Sequence, residues 1–135
     1  MDEEIRVSTD KSDIDLEAVR HYLNDISYWA KDRSLDMVIK SISNSRCFSL
    51  LSGGRFIGFA RMVTDYSTFA YLCDVFVLPE WQGKGLGSVL LKAVADDAEL
   101  QGVRQYLFTK DAFGFYEHFG YKKDEALGQK LMSRG

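Results

Sequence analysis

Hydrophobic residues recur along this chain with two different periods, and the switches between them divide it into elements. Ile5-Arg6-Val7-Ser8-Thr9 alternates apolar and polar positions, the pattern of a half-exposed first strand. Ser12-Asp13-Ile14-Asp15 offers a capping signal for a helix whose apolar face is Leu16, Val19 and Leu23. A second helix is expected from about Ser34, with Leu35, Val38, Ile39 and Ile42 at helical spacing and Asn44-Ser45 closing it. Between the two, Tyr28 and Trp29 stand beside the charges of Lys31, Asp32 and Arg33.

The period then changes to that of strands. Residues 47–52 and 55–64 are apolar runs separated by Gly53-Gly54, a strong local signal for a hairpin. Asp65-Tyr66-Ser67-Thr68 is the next turn, and it leads into residues 69–78, where Asp74 is the only charge; this run reads as a central strand buried on both faces. Pro79 ends it. Leu86, Val89, Leu90, Ala93 and Val94 begin a helix directly after the glycines at 83, 85 and 87, and Gly102 stops that helix. A short apolar strand is expected at 105–109, parallel to the central one, and a short helix at 112–119. Tyr121-Lys122-Lys123 reads as the start of another strand, and Lys130-Leu131-Met132 as a last edge strand.

The strand, turn and helix at 69–91 hold the most specific chemistry. Glycines ahead of a helix leave several backbone N–H groups free at the positive end of the helix dipole, a ready site for phosphate. Three glycine-loop chemistries are separated by spacing. Lys84 is followed by Gly85 where a nucleotide P-loop needs Ser or Thr for magnesium. A dinucleotide fingerprint needs Gly-x-Gly-x-x-Gly at once after the strand, whereas four residues, Pro79 to Gln82, intervene here. The third pattern, Gln/Arg-x-x-Gly-x-Gly/Ala, is matched by Gln82, Gly85 and Gly87. With the later run Thr109-Lys-Asp-Ala-Phe-Gly-Phe-Tyr-Glu-His-Phe-Gly-Tyr121, the chain resembles the GNAT superfamily of acetyl-CoA-dependent N-acetyltransferases over roughly residues 47 to 121.

The resemblance implies one α/β domain over residues 1–135, with a mixed, mostly antiparallel sheet of about six or seven strands and helices on both faces. It implies a splayed strand pair holding acetyl-CoA as co-substrate. Gln82, Gly83, Lys84, Gly85, Leu86, Gly87 and Ser88 would cradle the pyrophosphate, and the backbone of Val75, Phe76 and Val77 would meet the pantetheine arm and the thioester oxygen. Tyr116 stands where the family carries a tyrosine, and its phenol could protonate the departing thiolate. Many members carry an asparagine six residues earlier; here that place is Lys110. The region of Tyr28 and Trp29 falls where members build the acceptor side of the cleft, and these rings fit packing roles as well as acceptor contacts.

Asp74 is the candidate base, since a carboxylate in an apolar strand must be paired or used; a satisfied structural carboxylate is the competing reading. Asp65 follows it, with a solvated turn as the simpler account. The expected activity is direct acetyl transfer to a primary amine of a small molecule, peptide or protein. Cys47 and Cys73 lie in apolar strands without a nearby histidine, so no covalent enzyme intermediate is expected. A non-catalytic acyl-CoA-binding module of the same fold is the alternative. A nucleotide-binding protein is a weaker rival, because no acid stands about 20 residues on to read a ribose.

Composition narrows the partners. A net charge of −3 argues against nucleic acid, and His21 and His118 are too few and too far apart for a zinc cluster, so no metal is expected. Met-Asp-Glu-Glu-Ile-Arg lacks the apolar core of a signal peptide and no apolar run approaches a membrane span, which points to a cytoplasmic protein without a membrane partner. An exposed last strand could pair two copies into a homodimer.

Overall fold

In the computed structural model, residues 4–135 are described. The acidic start at 1–3, on which the expectation of no signal peptide partly rests, lies outside them. Five strands form one sheet in the order β1 (Ile5–Ser8), β2 (Arg46–Ser52), β3 (Arg55–Thr64), β4 (Ala70–Val77) and β5 (Gln105–Leu107). The first four are antiparallel, and β5 returns parallel to β4. The β2–β3 turn needs its two glycines, because Gly53 and Gly54 both take positive φ, at 54° and 83°.

Helices cover both faces, each started by the residue its sequence offers. Asp15 accepts from the Ala18 N–H to cap α1 (Leu16–His21), and Ser34 accepts from the Met37 N–H to cap α2 (Leu35–Ser43). One turn of π-helix, Tyr22–Ile26, extends α1 and closes with the Ser27 N–H on the Tyr22 carbonyl at 2.8 Å. Val19, Leu23, Val38 and Ile42 then pack on Cys47, Leu51, Phe59 and Phe76 of the sheet. On the opposite face, α3 (Leu86–Asp96) sets Leu90, Leu91 and Val94 against Phe48, Leu50, Ile57 and Leu72. Arg46 fastens β2 to the end of α3 through a two-point ion pair with Asp97, both contacts at 2.9 Å.

The sheet differs from the sequence expectation in its last part. Among the described residues it has five strands, not six or seven. Residues 121–124 are irregular, and Glu125–Gly128 forms a short helix, α5, capped by Asp124, where strands at 121–123 and 130–132 were expected. The physical reason is in the residues: Lys122, Lys123 and Asp124 are exposed charges with no apolar face to bury, and Asp124 supplies a helix cap instead. β5 also stops at Leu107, and α4 (Phe113–Glu117) is shorter than the expected 112–119. α3 ends at Asp96; a 3₁₀ turn, Ala98–Leu100, separates it from Gly102. β4 is not buried on both faces throughout, since Tyr71, Cys73, Val75 and Val77 are only half-buried.

The paired faces make the sheet the seat of stability. Phe59 is fully buried and meets the rings of Phe56 and Phe76 at tilted angles. Phe59→Ala is expected to cost about 3–5 kcal/mol in urea unfolding, because β2, β4 and the helices fix the walls of the cavity it would leave.

Candidate active site

The site is built where β4 and β5 part. β5 matches β4 only from Ala70 to Leu72, so residues 73–77 of β4 have no strand on that side. On the other side, the β3 register passes from Arg61↔Cys73 to Phe59↔Phe76, leaving Asp74 and Val75 opposite Ala60 alone. This is a β-bulge, and its two residues have no pairing partner in either ladder. Past the bulge, Leu78 donates to the Ile57 carbonyl at 2.8 Å, so the alternation of the ladder turns the polar groups of Val77 toward the open side. The Val77 carbonyl there accepts the Gln82 side-chain amide at 2.8 Å. Gln82, at 3.5 Å, also reaches the Tyr22 hydroxyl, tying the glycine loop to the strand end and to α1.

The loop leaves its donors free. Gly83 and Gly85 take φ of 78° and 76°, and a side chain built on either would meet nothing within 4 Å. Their conformation needs glycine, and the space beside them is open. Gly85 is the N-cap of α3, no side chain caps that helix, and no acidic residue stands in its first turn. The first N–H groups of α3 therefore face outward with the positive end of the dipole. Gly87 has a different reason: a Cβ there would lie 3.4 Å from the Phe115 ring, so it admits α4 against the start of α3. Lys84 sits over the Trp81 ring at 5.1 Å, and Trp81 packs into the core on the α3 side with Arg55 6.0 Å from its ring.

Tyr116 of α4 packs in the same cluster as Val75, Val77, Leu86 and Leu107, at the end of the gap. Burial raises its pKa above 10.0, and Tyr28 adds to the rise, so its hydroxyl keeps its proton. Tyr28 reaches the far side of the gap, where the Lys110 ammonium lies 5.5 Å from its ring. Tyr28 and Trp29 are 60% and 42% exposed and meet edge-to-face; Trp29 also lies against the buried Tyr22 ring at 6.3 Å, so it keeps a packing contact while Tyr28 faces outward. Phe76 points the other way: its ring stacks on Tyr22 at 4.1 Å in the core beneath α1, and its backbone belongs to the β3 ladder.

Asp74 is a hub of buried charge. Its side chain is 2% exposed; Arg33 Nη1 lies 3.1 and 2.9 Å from its two oxygens, and Arg61 Nε lies 2.8 Å from Oδ2. Both of its oxygens are thus engaged by guanidiniums in a nearly enclosed setting. Sequence reasoning missed the two arginines, although Arg61 is the one charge inside the apolar strand run that Arg55 begins, and a buried acid needs a cation. Asp65 is a turn device: its carboxylate accepts from the backbone of Ser67, Thr68 and Phe69 and from the Thr68 hydroxyl, which lowers its pKa. His118 is exposed. Among the described residues no group of three or more His, Cys, Asp or Glu side chains could hold a metal ion.

Known proteins resemble this chain in sequence and fold. The sequence profile of the Acetyltransferase (GNAT) family matches residues 16–121. The crystal structure of a candidate GNAT-family acetyltransferase from Xanthomonas campestris pv. campestris is 42% identical, with a TM-score of 0.91, covering 98% of this chain and 93% of that one. A candidate acetyltransferase of Gibberella zeae is 32% identical over 115 residues, 71% of this chain and 64% of its own. The mouse thialysine N-epsilon-acetyltransferase is 30% identical over 77 residues, 50% of this chain and 45% of its own. The chain thus spans less than two thirds of the length of these curated relatives.

Burial pushes both thiols, Cys47 and Cys73, up to about 11. At pH 8 each is then about one part in a thousand thiolate. Iodoacetamide is expected to label neither at that pH until the protein is unfolded, as read by intact mass.

Proposed function

The chain belongs to the GNAT acetyltransferase family, and from that premise we propose that it moves an acetyl group from acetyl-CoA directly onto a primary amine of a small molecule, peptide or protein. The observation that carries this reading is the uncapped start of α3 standing beside the unpartnered stretch of β4. One supplies donors for a pyrophosphate and the other supplies donors for a carbonyl oxygen, with a gap between strands to admit the arm that joins them. The ability of the mouse relative to act on the Nε of thialysine favours a primary amine as acceptor.

Acetyl-CoA would bring an acetyl group already activated as a thioester. The backbone of Gly83 to Ser88 would hold its phosphates, with Lys84 adding charge and Ser88 a hydroxyl. The Val75 N–H, outside both ladders, would donate to the oxygen on which negative charge grows. Gln82 holds the Val77 carbonyl and so keeps the end of β4 turned toward the gap. Tyr116, protonated in its buried setting, would pass its proton to sulfur as the C–S bond breaks and the C–N bond forms, and the second proton shed by the nitrogen as it becomes an amide would restore the phenol through solvent. Solvent in the open gap would take the proton of the incoming ammonium, with Asp74 left in its ion pairs.

A panel of thialysine, an aliphatic diamine, an aromatic ethylamine and a short peptide, assayed for thiol release from acetyl-CoA, tests the reading; turnover of at least one amine is expected, and binding of acetyl-CoA without turnover on any amine would favour a binding module instead. Tyr116→Phe is expected to lower kcat about 10- to 100-fold without abolishing it, because a thiol of pKa about 8.5 leaves fairly well unaided. The wild-type rate should climb with pH as the amine loses its proton. It should show no falling limb below pH 10.0, since burial holds the Tyr116 proton above its ordinary value.

A further inference from the structure

Asp74 is the point at which the two sides of the gap are joined. Its backbone takes φ of 53°, a left-handed conformation that non-glycine residues rarely adopt and that asparagine and aspartate tolerate best. That conformation makes the bulge, and the bulge takes the next residue, Val75, out of the β3 ladder, past the point where the β5 ladder has ended. Arg61 secures Asp74 from within the sheet and continues to the Ser45 hydroxyl at 3.0 Å. Arg33 secures it from outside the sheet, from the segment at 27–34 that connects α1 to α2. The same residue is gripped a second time through its backbone: Asn24 accepts from the Arg33 N–H at 2.8 Å and donates to the Arg33 carbonyl at 2.7 Å. The segment so held carries Tyr28 across the gap to Lys110 and into the surroundings of Tyr116.

The geometry points to Arg33 as a positioning residue of the transfer reaction, which through Asp74 fixes the bulge beside the thioester and through its own segment fixes the acceptor side of the gap. This rests on the acetyl-transfer reading above. Arg33 needs no contact with either substrate for this role. Its guanidinium stands between two parts that must keep register with each other, a strand that orients the donor and a loop that meets the acceptor. Errors of about 1 Å in such register cost about 100-fold in rate. The polar contacts of Arg33 go to Asp74 and Asn24 and not to the glycine loop or the start of α3, and the Val75 N–H that it orients matters chiefly as charge grows on the oxygen, so ground-state cofactor affinity should be largely separable from it.

The contact also says which substitution should rescue. Arg33 uses one nitrogen, Nη1, for both oxygens of Asp74, so it does not form a fork. A lysine ammonium can stand between two carboxylate oxygens in the same way, whereas glutamine brings no charge. The test uses the fastest amine of the panel above and compares wild type with Arg33→Gln, Arg33→Lys, Asp74→Asn and the double variant Arg33→Gln/Asp74→Asn. Arg33→Gln is expected to raise KM for the amine about 10-fold and to lower kcat about 10- to 100-fold, with the Kd of acetyl-CoA within about twofold of wild type. Arg33→Lys should recover most of that loss. The double variant should be no slower than Asp74→Asn alone, as two residues acting as one unit require. In a Trp81→Phe background, Trp29 is the sole tryptophan, and its emission should shift with Arg33→Gln and return with Arg33→Lys.

Wild-type turnover that Arg33→Gln leaves unchanged would overturn the positioning role and spare the transferase reading. A loss that Arg33→Lys does not recover, with acetyl-CoA affinity falling in parallel, would overturn it as well, since that is the result of simple unfolding. Absence of turnover in the wild type on every amine would remove the transferase reading and this role with it.

Discussion

Backbone polar groups in a sheet are satisfied by neighbouring strands, and the site depends on a stretch of β4 where that rule is suspended. β4 continues for five residues beyond its last partner in β5 and carries an extra residue against β3. The departure is specified by Asp74, whose left-handed backbone costs on the order of 1 kcal/mol and persists because surrounding contacts fix it. Two guanidiniums on a carboxylate that is almost fully enclosed supply those contacts. A buried ion pair of this kind is costly to break from one side, which makes it better suited to hold a shape than to exchange protons.

The rest of the fold serves that opening from two directions. The core beneath α1 and α2 presses Phe76 and Phe59 together and supports the far side of β4, while the core beneath α3 carries Val75, Val77 and Tyr116. Because the bulge adds one residue, the side chains of β4 exchange faces across it: Ala70 and Leu72 share the α3 core before it, and Val75 and Val77 share that core after it. The two faces thus receive different tasks. The α3 side gathers the glycine loop, the helix start and the buried phenol, and the α1–α2 side presents exposed rings with a lysine near them.

Much of this was legible in the residues. The Gly53-Gly54 hairpin, the caps at Asp15 and Ser34, and the strand, loop and helix at 70–96 each carry a local signal whose physics is short-range: positive φ, an N-cap oxygen, a change of period. The tail was misjudged because Tyr121-Lys122-Lys123 resembles a strand start only if a neighbour exists to pair with it, and a sequence does not show neighbours. The same limit hid Arg33 and Arg61, which lie 41 and 13 residues from Asp74. The demand for a partner was visible in the lone acid of an apolar run; which cations met it depended on the register of β3 on β4 and on the path of the segment at 27–34. Tyr28 and Trp29 were ambiguous for a related reason, since exposure of a ring is a property of the assembled surface.

On the proposed function, the uncapped start of α3 and the opened side of β4 together form a seat for acetyl-CoA. Calorimetric titration of the purified protein with acetyl-CoA, beside a variant in which Gly85 and Gly87 are both replaced by valine, tests it most directly. Valine at 85 is forced into positive φ, and at 87 it meets the Phe115 ring. The account requires saturable binding at one site in the wild type and its loss in the variant; wild-type protein that takes up no acetyl-CoA, or a folded variant that binds it equally well, would contradict it.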